Sequence, residues 1–375
     1  MSGNQQQAKS CLSQGKLTTV QVAVIISNFM LGSGILSLPR VAVDKVGTPD
    51  AWISVILGGV VALVTGAIMA LLSQAYPGQT FYEFSRKIIG SWLGHLLGAV
   101  IIVYFAATAA FQVRSLVEVS SFILLEGTPQ WAIVAVFLWV GLYLMLGGIG
   151  AIARLFEMIL PLTIVIYLLV TLMGFKIFEL DNLRPVLGQG IWPVFKGIET
   201  TSLSFTGFEI ILFLTAFMQH PGKNMRAVGA GISVPLVIYI VTVVMVIGAL
   251  SIDGVVARNW PTLDMARSFE LSGLIFERFE FLLLIIWIMQ IYSSFTIAYY
   301  CASLGISQLY KIKTRTSIYS LLPIVYIIVA IPKKLDDVFT LGDWIGKVAI
   351  YLFGVLPLIF LVVTKWRTGK YANKT

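Results

Sequence analysis

Apolar runs of membrane-spanning length recur along the whole chain, separated by short charged or Pro/Gly-rich breaks. They predict ten spans, at 18–39, 51–76, 93–122, 129–149, 155–175, 199–218, 224–250, 279–305, 316–332 and 343–365. Each is near the roughly 20 residues a helix needs to cross about 30 Å of hydrocarbon. The alternating segments of about 10 residues that build an outer-membrane barrel are absent. The first run is too long for a cleaved secretory signal and lacks a small-residue cleavage end, so it is expected to remain as a span. The expected fold class is an all-α integral membrane protein made of a single membrane domain.

Composition agrees with this reading. Of 375 residues, 58% are hydrophobic and 12% charged, and the mean hydropathy is +0.91. With the N-terminus inside, the cytoplasmic segments hold 14 basic residues against two acidic ones, and the other side holds 11 against 13. Basic residues resist translocation, so both termini are expected in the cytoplasm. The net charge of +8 is then a signature of topology, and no nucleic-acid partner is needed to explain it. The basic C-terminal tail has two readings, a solvated stop-transfer segment or a contact with anionic headgroups.

Two spans carry residues that weaken a helix. The first contains "NFMLGSGILSLP" (28–39) and the sixth begins "TSLSFTGFEIILF" (201–213). Glycines in a membrane helix also permit close packing, and that alternative stands for Gly32 and Gly34. The polar break recurs in the first span of each half of five, which predicts an inverted repeat: spans 1–5 over 18–176 and spans 6–10 over 193–366, with broken first and sixth helices. A break exposes N–H groups at one half-helix and C=O groups at the other. Gly32, Ser33 and Gly34 would hold a carboxylate, and carbonyls near Thr206 and Gly207 an ammonium group, which suits an amino-acid zwitterion.

Polar stripes supply candidate neighbours. Tyr104, Thr108, Phe111, Ser115 and Glu118 share one face of the third span, and Ser293, Thr296, Tyr300, Ser303 and Ser307 one face of the eighth. For Tyr104, Thr296 and Tyr300, a pocket role competes with hydroxyls satisfied by their own helix. A charge inside the bilayer costs roughly 2.5–3.5 kcal/mol or more, which marks Glu209 as a candidate proton or ion carrier; the alternative is a carboxyl held by local donors. Arg114 and Glu118, four residues apart, read as an ion pair, and Glu199 as a charge at a helix start.

Other chemistry is poorly supported. Cys11 and Cys301 read as free thiols, and with His95 and His220 they form no metal-ligand or catalytic constellation, so neither an enzyme nor a cofactor is expected. The insert at 251–278 places Leu263, Ala266, Phe269 and Leu274 at helical spacing, as a lid over the outer mouth or as a surface loop.

"GSGILSLP" and "SFTGFE" resemble the first- and sixth-span motifs of the amino acid–polyamine–organocation permeases. More narrowly, "GIGAIARLFEMILP" (147–161), "YPGQTFYEFSRKIIGSWLG" (76–94) and "LRPVLGQGIWPVFKG" (183–197) resemble the spore germination permeases, the B subunits of nutrient germinant receptors. The resemblance runs from about residue 16 to 367. It implies a receptor in the inner membrane of a dormant spore, working with A and C subunits and triggered by a small nutrient. It places the ligand site at Gly32, Ser33, Gly34, Tyr104, Leu203, Phe205, Thr206, Gly207, Thr296 and Tyr300, and has Arg154 and Glu157 hold the inner boundary. The lysine that some proton-coupled relatives carry inside the fifth span is missing; Lys176 stands at its end.

Overall fold

A computed structural model of the chain describes residues 16–268 and 279–372. Cys11, Phe269 and Leu274 lie outside the described residues. Helices account for the described architecture: α1 Thr19–Val46, α2 Ala51–Gln74, α3 Phe81–Ile89, α4 Ser91–Ile123, α5 Gln130–Leu146, α6 Ile149–Gly174, α7 Trp192–Thr200, α8 Ile211–Leu214, α9 Asn224–Val256, α10 Pro261–Arg267, α11 Glu280–Tyr310, α12 Thr314–Ala330, α13 Leu335–Ala349 and α14 Leu356–Ala372. Among the described residues six helices are long and apolar enough to cross a membrane, and the bent α1 makes a seventh. Gln130–Leu146, Phe208–Phe217 and Thr314–Ala330 are apolar but shorter. The protein is a multi-pass, all-α membrane protein.

Local chemistry sets the ends of these elements. Thr18 and Gln21 form a capping box that starts α1, and Gly47, in the left-handed region at φ 68°, closes it with its N–H on Val43 O. Thr80 and Glu83 start α3 in the same way. That short amphipathic helix buries Phe81 and Phe84 and is tied to α11 by the Thr80 hydroxyl donating to Gln308. Between α13 and α14 a π-helical turn, Ile350–Val355, brings Phe353 edge-on to Tyr104 at 5.1 Å.

The spans pack around α1, which lies against α9, α11, α6 and α7. Leu17, just before α1, forms an isolated parallel bridge with Met218, where the sixth segment ends, through hydrogen bonds of 2.8 and 2.9 Å. The chain therefore enters the first span beside the point where it leaves the sixth, and the two run antiparallel. At the opposite end the cover helix α10 rests on α1, α9 and α11, with the Thr262 hydroxyl on Ile35 O at 2.8 Å. Leu263 and Ala266 of the expected lid are buried in that contact.

Candidate functional site

The two polar interruptions fold differently. In the sixth span the helix is lost: α7 ends at Thr200, residues 201–207 are turns, and helix resumes through Phe208–Ile210. Gly207 has φ 128°, and a Cβ there would stand 2.9 Å from Met30 Cγ and 3.0 Å from Phe29 Cδ1. Glycine is thus required both by backbone conformation and by contact with α1. In the first span the helix continues, but its axis bends by 55° between Thr19–Gly32 and Gly34–Val46, with Ser33 at the corner.

The bend has a specific cause. Hydroxyls from neighbouring spans reach carbonyls shortly before it: Ser294 donates to Phe29 O at 2.7 Å, its single proton also lying within reach of Gln290 O at 3.0 Å and Asn28 O at 3.3 Å, and Tyr239 donates to Met30 O. Side chains entering the backbone ladder of a helix kink it, and here they satisfy the groups the kink opens. Gly32 and Gly34 make this approach possible. A Cβ on Gly32 would collide with the Ser294 side chain, and one on Gly34 with the Tyr239 ring.

One acid ties the break to α4. Glu209 is buried; its carboxylate accepts the Tyr104 hydroxyl at 2.8 Å and the Gly207 N–H at 2.6 Å. Thr206 donates to Leu203 O at 2.7 Å, and Phe205 meets the Tyr239 ring edge-on at 5.6 Å. Thr296 and Thr108 turn their hydroxyls to their own helices, on Tyr292 O and Tyr104 O. Tyr300 is buried in α11.

Directly on the α10 side of the break lies a cavity of about 60 Å³. Leu36 and Ser37 beyond the bend line it, with Phe111, Ser115 and Glu118 of α4 and Thr200, Leu203 and Ser204 of the broken span. Trp287 of α11 and Phe339 and Asp343 of α13 complete the wall, and Trp260 stands over it from the α10 segment. Trp260 also packs on Phe122 at 5.6 Å, while Arg40 bridges Asn259, at 2.6 Å, and the Phe339 ring, 5.2 Å from its centroid. Of the ten ligand residues suggested by resemblance, Leu203 is on this wall. Tyr104 meets the break from α4 through Glu209, Thr296 and Tyr300 belong to the packed face of α11, and the others form the bend and break themselves.

The charge pairs divide. Arg114 and Glu118 form an ion pair within α4. Arg154 and Glu157 do not pair with each other among the described residues; Glu157 instead accepts the Gln21 side-chain amide at 3.2 Å, fastening α6 to the start of α1. Sequence reasoning missed Asn28, Tyr239 and Ser294, which shape the bend, and Trp260, Trp287, Phe339 and Asp343, which shape the cavity. Asn28 was detectable as a polar residue inside an apolar run; its amide reaches Val24 O at 2.9 Å and Phe156 O at 3.2 Å.

A bent first span, an unwound sixth running against it and a cavity at their meeting define a permease-type membrane fold. Solved structures agree. MhsT in complex with L-phenylalanine superposes with a TM-score of 0.67 at 10% identity, covering 92% of this chain and 98% of that one. Mhp1, a nucleobase-cation-symport-1 family transporter, gives 0.67 at 11% identity over 93% and 78%. The chain belongs to the spore germination protein family, whose model matches residues 16–338. Among its relatives in Bacillus subtilis (strain 168), spore germination protein YndE is 54% identical, covering 94% of this chain and 97% of the relative. Spore germination protein A2 is 37% identical over the same shares.

Proposed function

We propose that this protein is the permease-like subunit of a spore germinant receptor, which binds a small nutrient, an amino acid, at the break between its first and sixth spans and thereby triggers germination. The observation that carries this reading is the cavity between the bend of α1, the unwound segment 201–207 and the cover at Trp260. A single water needs about 10–15 Å³ of such space, so a cavity of about 60 Å³ has room for more than one water. That suits a small amino acid. Of its two wall carboxylates Glu118 is already paired with Arg114, and Asp343 is suited to an ammonium group. The indole N–H of Trp287 is buried without a partner and offers a donor for a carboxylate. Gly32, Ser33, Gly34 and Thr206 would act through the shape of the bend and break, and Glu209 is the candidate proton or ion carrier.

The helix contacts support a 5+5 inverted repeat. Moving each span five places on sends α1 against α9 to the broken sixth span against α2, α4 against α12 to α11 against α5, and α6 against α11 to α13 against α4; all these pairs touch. The interposed helices α3 and α10 each follow the second span of a half. On this reading both termini are cytoplasmic and α10 lies outside, which the charge distribution supports, and the chain works in the inner spore membrane with A and C subunits as partners. Ligand binding must favour one conformation over another, by about 5.5 kcal/mol for a near-complete switch.

The fold shared with transporters favours a second reading, secondary amino-acid transport by alternating access. Labelled alanine offered to proteoliposomes and to spores carrying the chain separates the two. Vesicles without flux, together with nutrient-dependent germination that is lost on deletion of the chain, support the receptor. Concentrative flux supports the transporter, and neither response overturns both.

A further inference from the structure

A second recess, of about 290 Å³, opens between the α10-side ends of α5 and α12. Its wall includes Arg114 of α4, Trp131 and Val134 of α5, Tyr326 and Val329 of α12, and Lys333 just beyond. Arg114 is 6% exposed and lies nine residues before the end of α4, about 13 Å along the helix. An intramembrane cation in such a place calls for a reason. Its guanidinium pairs with Glu118 and donates to Gln130 Oε1 at 3.0 Å, while Nε has no acceptor. The rim is of another kind: Trp131 is 64% exposed and Tyr326 43%, the amphipathic rings found where membrane meets water.

We propose that this recess holds the headgroup of an anionic phospholipid from the leaflet on the α10 side. The phosphate would lie toward Lys333 and Arg114, and the acyl chains along Val134, Val329 and the two rings. Three features select this occupant. Both charged side chains on the wall, Arg114 and Lys333, are basic. Guanidinium donors match phosphate oxygens in geometry. The wall grades from charged to apolar, as a lipid does, where a free anion would leave the apolar part uncovered. Arg114 shares α4 with Phe111, Ser115 and Glu118 of the cavity wall, so a lipid held here would steady that wall.

The test uses the full chain in neutral detergent, stripped of lipid and supplied with phosphatidylglycerol, phosphatidylcholine or inorganic phosphate. Unfolding temperature and mass-spectrometric retention of lipid are the readouts. Phosphatidylglycerol should raise the unfolding temperature and stay bound, while the other two should not. Lys333→Glu, at an exposed site, should weaken phosphatidylglycerol retention on the order of tenfold, and Trp131→Ala should weaken it without changing charge selectivity. Equal effects of the two lipids, an equal effect of phosphate alone, or unchanged retention in Lys333→Glu would each overturn the proposal.

Discussion

Tyr104 and Glu209 join α4 to the broken sixth span through one hydrogen bond of 2.8 Å, and the same carboxylate holds the Gly207 N–H at 2.6 Å. One side chain thus sets both the shape of the unwound turn and its distance from the cavity wall on α4.

Tyr104→Phe leaves a buried acceptor without its donor, which costs about 1–3 kcal/mol. We expect reduced thermal stability and a higher half-maximal nutrient concentration, with Glu209→Gln acting in the same direction. Because the two groups act on each other, the double variant should lose less than the sum of the single effects. Strict additivity in unfolding measurements would show that the contact does not matter.

The bend of α1 yields a prediction about packing. Gly32→Val sets its Cβ into the Ser294 side chain, and overpacking of this kind costs about 1–3 kcal/mol. Nutrient response should be lost, with protein level reduced. Gly32→Ala should be milder and should be partly rescued by Ser294→Gly, which removes the atoms it meets. Normal response and normal protein level in Gly32→Val would count against a functional bend.

How much of this was legible beforehand depended on the range of the interaction. Spans are set by local hydropathy, and Gly207 and Glu209 stood out because a glycine and an acid inside an apolar run are costly wherever they pack. What α1 does at Gly32 depends on Ser294 and Tyr239, more than two hundred residues away along the chain. Glycine content alone is equally compatible with unwinding, bending or close packing. The cavity wall was less visible still, because Trp260 and Phe339 are unremarkable aromatics until the fold sets them against Phe122 and Arg40 respectively. Glu157 shows the same dependence on range: Arg154 stands three residues away, yet the carboxylate takes its hydrogen bond from Gln21 of another span.

The cover over the cavity should govern access. Arg40→Ala removes both the Asn259 bond and the cation over Phe339, and Trp260→Ala removes the contact with Phe122. A cysteine introduced at Leu203 should react faster with a membrane-impermeant thiol reagent in either background, Cys301 being buried. Added nutrient should slow that reaction in the otherwise unaltered chain. Identical labelling rates with and without the cover contacts would mean that the segment is a bystander.

Leu203 also allows the size of the site to be tested, because it sits at the break, on the cavity wall, and packs beside Gly342 and Gly346 of α13. Leu203→Phe should consume part of the void and raise the half-maximal concentration progressively along the series glycine, alanine, valine, leucine. Leu203→Ala should relax the same series, at a stability cost below the ~2–5 kcal/mol of a core leucine because Leu203 is only partly buried. The diagnostic result is a slope that depends on ligand size and reverses between the two variants. A uniform shift across the series would mean that the substitutions disturb the break or its coupling to the rest of the receptor, and that the nutrient binds elsewhere.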